Sequence, residues 1–136
     1  MSARRAFDYA LVRAVSVPTG DAVTLGAVLS CRQAGFLGCA LGDTADAATR
    51  LGLDRDLLAR AVAAFETVAR GGPAAGPIGR LPPSERFHFL TATRSTALQT
   101  LPVRTGLTDD PEAALARVAG DLAGGSQGAR NPRTRL

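Results

Sequence analysis

Lysine is absent from this chain of 136 residues, and histidine occurs once. All 16 basic residues are arginine. Because a Walker-type phosphate loop, a Schiff base and a covalently bound pyridoxal phosphate each need a lysine, the sequence excludes these chemistries. The single histidine, His88, and the two cysteines provide too few ligands for an ordinary zinc site. We therefore expect no metal and no cofactor.

Cysteines, aromatic residues and long apolar runs are also scarce. The two cysteines, Cys31 and Cys39, are too few for the disulfide framework of a small secreted domain, so we expect two reduced thiols. The alternative is a redox-active pair formed across the turn between them. Aromatic residues make up 4% of the chain, which argues against a stacking platform for nucleic acid. No apolar run approaches the roughly 20 residues of a membrane helix, and no signal-peptide pattern is present. These features predict a cytoplasmic protein without a membrane anchor.

The residues that are present suit one folded unit. Hydrophobic residues make up 46% of the chain, which is enough to bury a core, and the length suits one domain. We predict a single α+β domain over residues 1–123. The net charge is +4, and the last residues include Arg130, Arg133 and Arg135. We expect residues 124–136 to form a basic, disordered tail.

Three N-terminal segments have the pattern of antiparallel strands. Over residues 6–17 apolar residues alternate with the others, and Arg13 is the exception on the apolar face. Residues 22–31 and 36–41 predict two more strands, and the short turns between the three indicate a meander. Gly26, in the middle of the second strand, indicates a bulge or a close backbone neighbour.

The following segment has the spacing of helices. A short helix is expected at residues 44–51, and a stronger one at 54–70, where Asp54 caps an apolar stripe. A Gly- and Pro-rich stretch over residues 71–83 predicts an irregular connection. A short helix at residues 84–91 should follow it.

One more strand and one more helix complete the predicted domain. Residues 98–103 indicate a strand at an edge, because Pro102 lies within it. The last helix is predicted at residues 108–122, where Asp109 and Glu112 have the spacing of a capping box. An antiparallel sheet with helices packed on one face is the economical arrangement of these elements.

Five separate segments carry a family resemblance. They are FDYALVR at 7–13, LGAVL at 25–29, GPIGRLPPSERF at 76–87, RST at 94–96 and PVRTGLTDDPE at 102–112. In this order and spacing they resemble the domain of unknown function 3037 family, a group of small bacterial proteins. The resemblance covers nearly the whole predicted domain. The family has no established activity, so the resemblance implies no catalytic residue.

What the resemblance implies is a partner. Members of the family are often encoded beside a kinase-like protein of the HipA type, which implies such a protein as a binding partner. Similar chains often have a histidine where this chain has Arg104. A role that depends on a histidine at that position is therefore not carried over to this chain.

Polar side chains between the two long helices form the candidate binding surface. Several arginines with neighbouring hydroxyls suit a phosphate or a carboxylate, because guanidinium groups bind such anions bidentately. The candidate ligand-binding residues are Arg86, His88, Arg94, Ser95, Thr96, Arg104 and Thr105. The alternative is structural, with Arg86 and Arg94 pairing with Glu85 and with carboxylates of the last helix.

No catalytic constellation stands out in the sequence. A triad built from His88 with Ser84 or Ser95 lacks a nucleophile-elbow motif. Asp109 and Asp110 are better explained as helix caps than as metal ligands. The sequence therefore favours a protein that is not an enzyme.

Three functional hypotheses remain. The favoured one is a non-catalytic interaction or accessory module that binds a partner protein, with the kinase-like protein as the implied candidate. The second is a small protein or enzyme that binds an anionic or phosphate ligand through Arg86, Arg94 and Arg104. The third is nucleic-acid binding through the basic tail.

Overall fold

The computed structural model describes residues 4–92 and 97–125, with side chains as far as residue 120. These residues form five strands and four α-helices, in the order β1 Arg5–Val15, β2 Ala22–Cys31, β3 Phe36–Leu41, α1 Thr44–Leu51, α2 Arg55–Arg70, α3 Pro83–Thr91, β4 Leu98–Thr100, β5 Arg104–Thr108 and α4 Pro111–Gly125. Short 3-10 helices occupy Arg32–Ala34 and Pro73–Arg80. The predicted α+β class is confirmed. Most of the predicted tail, residues 126–136, lies outside the described residues.

All five strands belong to one antiparallel sheet. β1 pairs with β2, and β2 pairs with β3, which confirms the predicted meander. The other side of β1 pairs with β4 through residues 12–14 and with β5 through residues 5–9. The sequence predicted one strand at 98–103, whereas the structure divides this edge in two. Pro102 lies in the break, because it has no backbone N–H to donate to a ladder.

A bulge lies near the middle of the sheet. Val12 pairs with Gly26 but Arg13 pairs with Thr24, so Leu25 is an extra residue in β2. A Cβ atom added at Gly26 would overlap the carbonyl oxygen of Ala40 on β3. Both features that the sequence predicted for Gly26, a bulge and a close backbone neighbour, are therefore present.

The sheet has a buried core on each face. One core joins the even-numbered residues of β1, such as Val12, to Ala48 of α1, Leu58 of α2 and Phe87 of α3. The other core joins Phe7 of β1 and Leu29 of β2 to α4. The prediction that all helices pack on one face is wrong in this respect, because α4 covers the opposite face. Both faces of β1 and β2 carry apolar side chains, so each face requires a cover.

Aspartates cap α1, α2 and α4 at their N-termini, whereas α3 begins after Pro82 without a side-chain cap. The backbone N–H of Leu57 donates to Asp54 Oδ1 at 3.0 Å, as the sequence predicted for α2. At the start of α4 the N–H of Ala113 donates to Asp110 Oδ1 at 3.3 Å, so the cap is Asp110 and not the predicted Asp109. Among the helices of the described residues, none combines the length and the apolarity needed to cross a membrane.

Candidate functional site

Arg86, the first candidate ligand residue, lies on α3 and is held by the backbone of its neighbours. Its Nε donates to the carbonyl oxygen of Val68 at 3.0 Å, and its Nη1 donates to that of Leu81 at 2.6 Å. Gly71 ends α2 with φ +77°, and a Cβ atom there would lie 2.8 Å from the centre of the guanidinium group. Arg86 therefore joins the last turn of α2 to the 3-10 segment that follows, and these contacts occupy part of its donor capacity.

The other candidate residues lie on separate parts of the fold. His88 is exposed on α3, whereas Arg104 and Thr105 are exposed on β5, at the edge of the sheet. Consecutive strand residues point to opposite faces, so Arg104 and Thr105 do not share a surface. The Thr105 hydroxyl donates to Asp8 Oδ1 at 2.9 Å across the β1–β5 ladder. Arg94, Ser95 and Thr96 lie outside the described residues.

A second surface lies on the α4 side of the sheet. α4 packs mainly on β2 and β3, and its core also includes Phe7 of β1 with Tyr9 and Leu11 at the margin, so the helix covers the β1, β4 and β5 part of this face only in part. The β1 residues on it are Tyr9, Leu11 and Arg13, all half-buried. Their cross-strand neighbours are Arg104 beside Tyr9, Gln99 beside Arg13, and Leu101, which donates its N–H to the Leu11 carbonyl at 2.9 Å. We call these six residues the β1 face.

The β1 face is positively charged. Arg13 and Arg104 lie at its two ends. Arg104 pairs with Tyr9, which is four residues from Arg13 along β1, so the two arginines are about 13 Å apart in the strand direction. Within the described residues neither guanidinium forms an ion pair, and the buried Nε of Arg13 has no hydrogen-bond partner there. The register places no Asp or Glu among the six residues of the face. The face thus combines two uncompensated cations with a tyrosine and two leucines between them.

The two thiols lie on opposite faces of the sheet and are both free, as predicted. Cys31 is buried in the α4-side core, whereas Cys39 packs at the margin of the other core beside Glu66 and Arg70. Burial raises the pKa of the Cys39 thiol to about 11; the charge of Glu66 also raises it, and that of Arg70 lowers it. This thiol is therefore protonated and unreactive at neutral pH.

Sequence reasoning missed most of the β1 face. It selected Arg104 but not Tyr9, Arg13 or Gln99. The available signal was Arg13, the one charged residue on the apolar face of the first strand. A charged side chain can lie on the apolar face of a strand when that face is only partly covered. Here α4 packs mainly on β2 and β3, to one side of β1.

Comparison with known proteins yields one match. A family model described as "Protein of unknown function (DUF3037)" matches residues 9–122. This range contains all six residues of the β1 face and all of the sheet except residues 5–8 of β1. No curated protein and no solved structure matches the chain.

Proposed function

The chain belongs to the DUF3037 family, whose description names no activity, and from this premise we propose a function based on its surface. The protein is a non-catalytic interaction module that binds an acidic segment of a partner protein on the β1 face. The observation that carries the proposal is the pair of arginines, Arg13 and Arg104, that lack ion-pair partners in the described chain at either end of an apolar strip.

The composition of the face supports a protein ligand. Tyrosine and arginine are enriched among the residues that contribute most to protein–protein affinity, because each combines a large contact area with directional polar groups. Leu11 and Leu101, between the two arginines, offer contact to apolar side chains, which a nucleic-acid backbone would not use. A fitting segment has two carboxylates about 13 Å apart, the rise of four strand residues, with an apolar side chain between them.

Charge complementarity also gives the binding a measurable property. Exposed arginine–carboxylate pairs steer association and are weakened by salt, because the Debye length is only about 8 Å at physiological ionic strength. Binding should therefore become weaker as the salt concentration rises. The kinase-like protein of the HipA type, implied by the family resemblance, is the first partner to test.

The experiment is quantitative affinity capture with matched variants. Tagged wild-type chain, an Arg13→Gln/Arg104→Gln variant and an Arg55→Gln/Arg117→Gln control are used to capture proteins from lysate of the source cells. Arg55 and Arg117 are exposed on α2 and α4, so the control changes the net charge equally. The proposal expects a protein that is enriched by the wild type and the control but lost with the first variant.

Other outcomes would contradict the proposal. Equal capture by all three forms, or no enriched protein, would rule out the β1 face as the binding surface. A captured species that disappears after nuclease treatment would indicate nucleic acid instead. A direct titration with inorganic phosphate tests the anion-ligand alternative: saturable binding that the Arg13→Gln/Arg104→Gln variant retains would place ligand recognition elsewhere.

A further inference from the structure

The outer edge of β5 is a second unpartnered feature of the sheet. β5 pairs with β1, and no other strand of the described residues pairs with it. Five large apolar side chains are exposed in the described part of the chain, and two of them, Val103 at 47% and Leu107 at 61%, lie on this edge. An exposed edge with apolar side chains is a template for pairing with another strand.

The hydrogen bonds of β1 show which backbone groups this edge presents. The N–H of Val15 donates to Ala97 at 2.7 Å, and that of Leu101 donates to Leu11 at 2.9 Å. Odd-numbered residues of β1 therefore direct their N–H and C=O groups toward β4 and β5, since these groups alternate sides along a strand. The shift in register arises from an extra residue in β2, so the alternation along β1 is unbroken.

The same alternation fixes the directions in β5. Arg104 and Gly106 pair with Tyr9 and Phe7, two odd-numbered residues, and so direct their backbone groups inward. Thr105 and Leu107 then direct theirs outward, away from the sheet. The side chains of these two outward residues point to the sheet face opposite Arg104.

We infer that β5 pairs with β5 of a second copy of this chain, antiparallel and centred on Thr105. In this register Thr105 faces Thr105 of the second copy, and Val103 faces Leu107. The two Thr105 residues then form a hydrogen-bonded pair at the two-fold axis, and the exposed Leu107 lies opposite Val103, the residue that precedes β5 in the second copy. Arg104 faces Gly106 of the second copy, so the register brings no two arginines together.

The edge matches itself in three independent respects, which is why a second copy is the occupant. The outward backbone groups, the two apolar side chains and the single charged residue all suit one two-fold register. The inference goes beyond the proposed function and does not depend on it, since the β1 face lies on the other side of the sheet from Leu107.

The test is the molar mass in solution, measured by sedimentation velocity over a range of protein concentrations. The wild type should reach twice the chain mass of 14.0 kDa. Thr105→Pro should raise the dimer dissociation constant by roughly 25-fold, because it removes two central hydrogen bonds that are each worth a factor of about five. Proline is tolerated where the N–H faces outward from an edge strand. Thr105→Val, which loses only the hydroxyl, should remain dimeric.

A second pair of variants tests the inference if Thr105→Pro fails to fold. Leu107→Lys should also weaken the dimer, whereas Leu57→Lys should not, although both leucines are 61% exposed. A wild-type chain that stays monomeric at every concentration would overturn the inference, and would indicate that any strand pairing with this edge comes from a different protein. A dimer that survives Thr105→Pro and Leu107→Lys in folded protein would overturn it as well.

Discussion

Replacing Arg86 tests whether this residue stabilises the fold or binds a ligand. In the structure its guanidinium group donates to the carbonyl oxygens of Val68 and Leu81. The Val68 carbonyl lies in the last turn of α2, where the helix dipole favours a cation, and it also accepts the N–H of the capping residue Gly71 at 3.1 Å. Arg86→Ala removes both hydrogen bonds; the Val68 carbonyl then keeps the N–H of Gly71 but loses its charged donor.

The expected cost follows from the two contacts. A hydrogen bond to a charged group contributes about 1.5–3 kcal/mol, and the exposed bond to Leu81 counts for less than the partly buried one to Val68. Arg86→Ala should therefore lower the free energy of unfolding by about 2–4 kcal/mol. Arg86→Lys should be intermediate, because a lysine ammonium is a point donor that does not span two carbonyls as a planar guanidinium does.

Urea unfolding followed by far-UV circular dichroism measures this change. His88→Ala is the control, because His88 is exposed on the same helix and its loss should change stability by no more than about 0.5 kcal/mol. The reasoning is refuted if Arg86→Ala costs no more than this control. A ligand role would be indicated instead if sulfate raised the melting temperature of the wild type and not that of Arg86→Ala.

Three further predictions concern the packing of the sheet and its thiols. Gly26→Ala should lower the free energy of unfolding by about 3 kcal/mol or more, because its Cβ atom would overlap the backbone of β3. Gly120→Ala should raise it by about 1 kcal/mol, because Gly120 lies in α4 with open space around it and alanine favours a helix. Chemical denaturation of both variants measures these changes. Phe65→Ala should cost about 3–5 kcal/mol in the same assay, since only 9% of Phe65 is exposed, and a loss below about 1 kcal/mol would place its ring outside the core. Cys39 in the native protein should resist alkylation at pH 8, and fast labelling would contradict this, whereas denatured, unreduced protein should show two modified cysteines. The free energy of unfolding should fall as the pH rises from 9 toward 11, because the pKa of Cys39 is raised in the folded state and the unfolded chain loses the thiol proton first.

Local patterns were sufficient to predict most of the elements. The bounds of β2 and β3 follow from alternation and turn residues, and α2 follows from its apolar stripe and the cap at Asp54. The role of Gly26 was predictable because a glycine inside a strand usually marks a bulge or a close backbone neighbour. Both are present here, and the neighbour is the Ala40 carbonyl. These features depend on residues close together in the chain.

Features that depend on distant residues were not predictable in the same way. β5 has little apolar alternation and is a strand because β1 offers it a ladder. α4 resembles the other helices in its sequence, and its position on the opposite face follows from the apolar side chains that β2 and β3 present there. The arginines were grouped because they are close in sequence, whereas Arg86 and Arg104 lie on a helix and an edge strand.

Site-specific photo-crosslinking on the β1 face tests the central proposal most directly. A benzoylphenylalanine residue at position 99 lies on this face and away from the outer edge of β5, and the same residue at position 57, exposed on α2, is the control. Irradiation in the source cells should join position 99, and not position 57, to another protein through a segment rich in Asp and Glu. The account is contradicted if position 99 yields no adduct, or if both positions capture the same proteins equally.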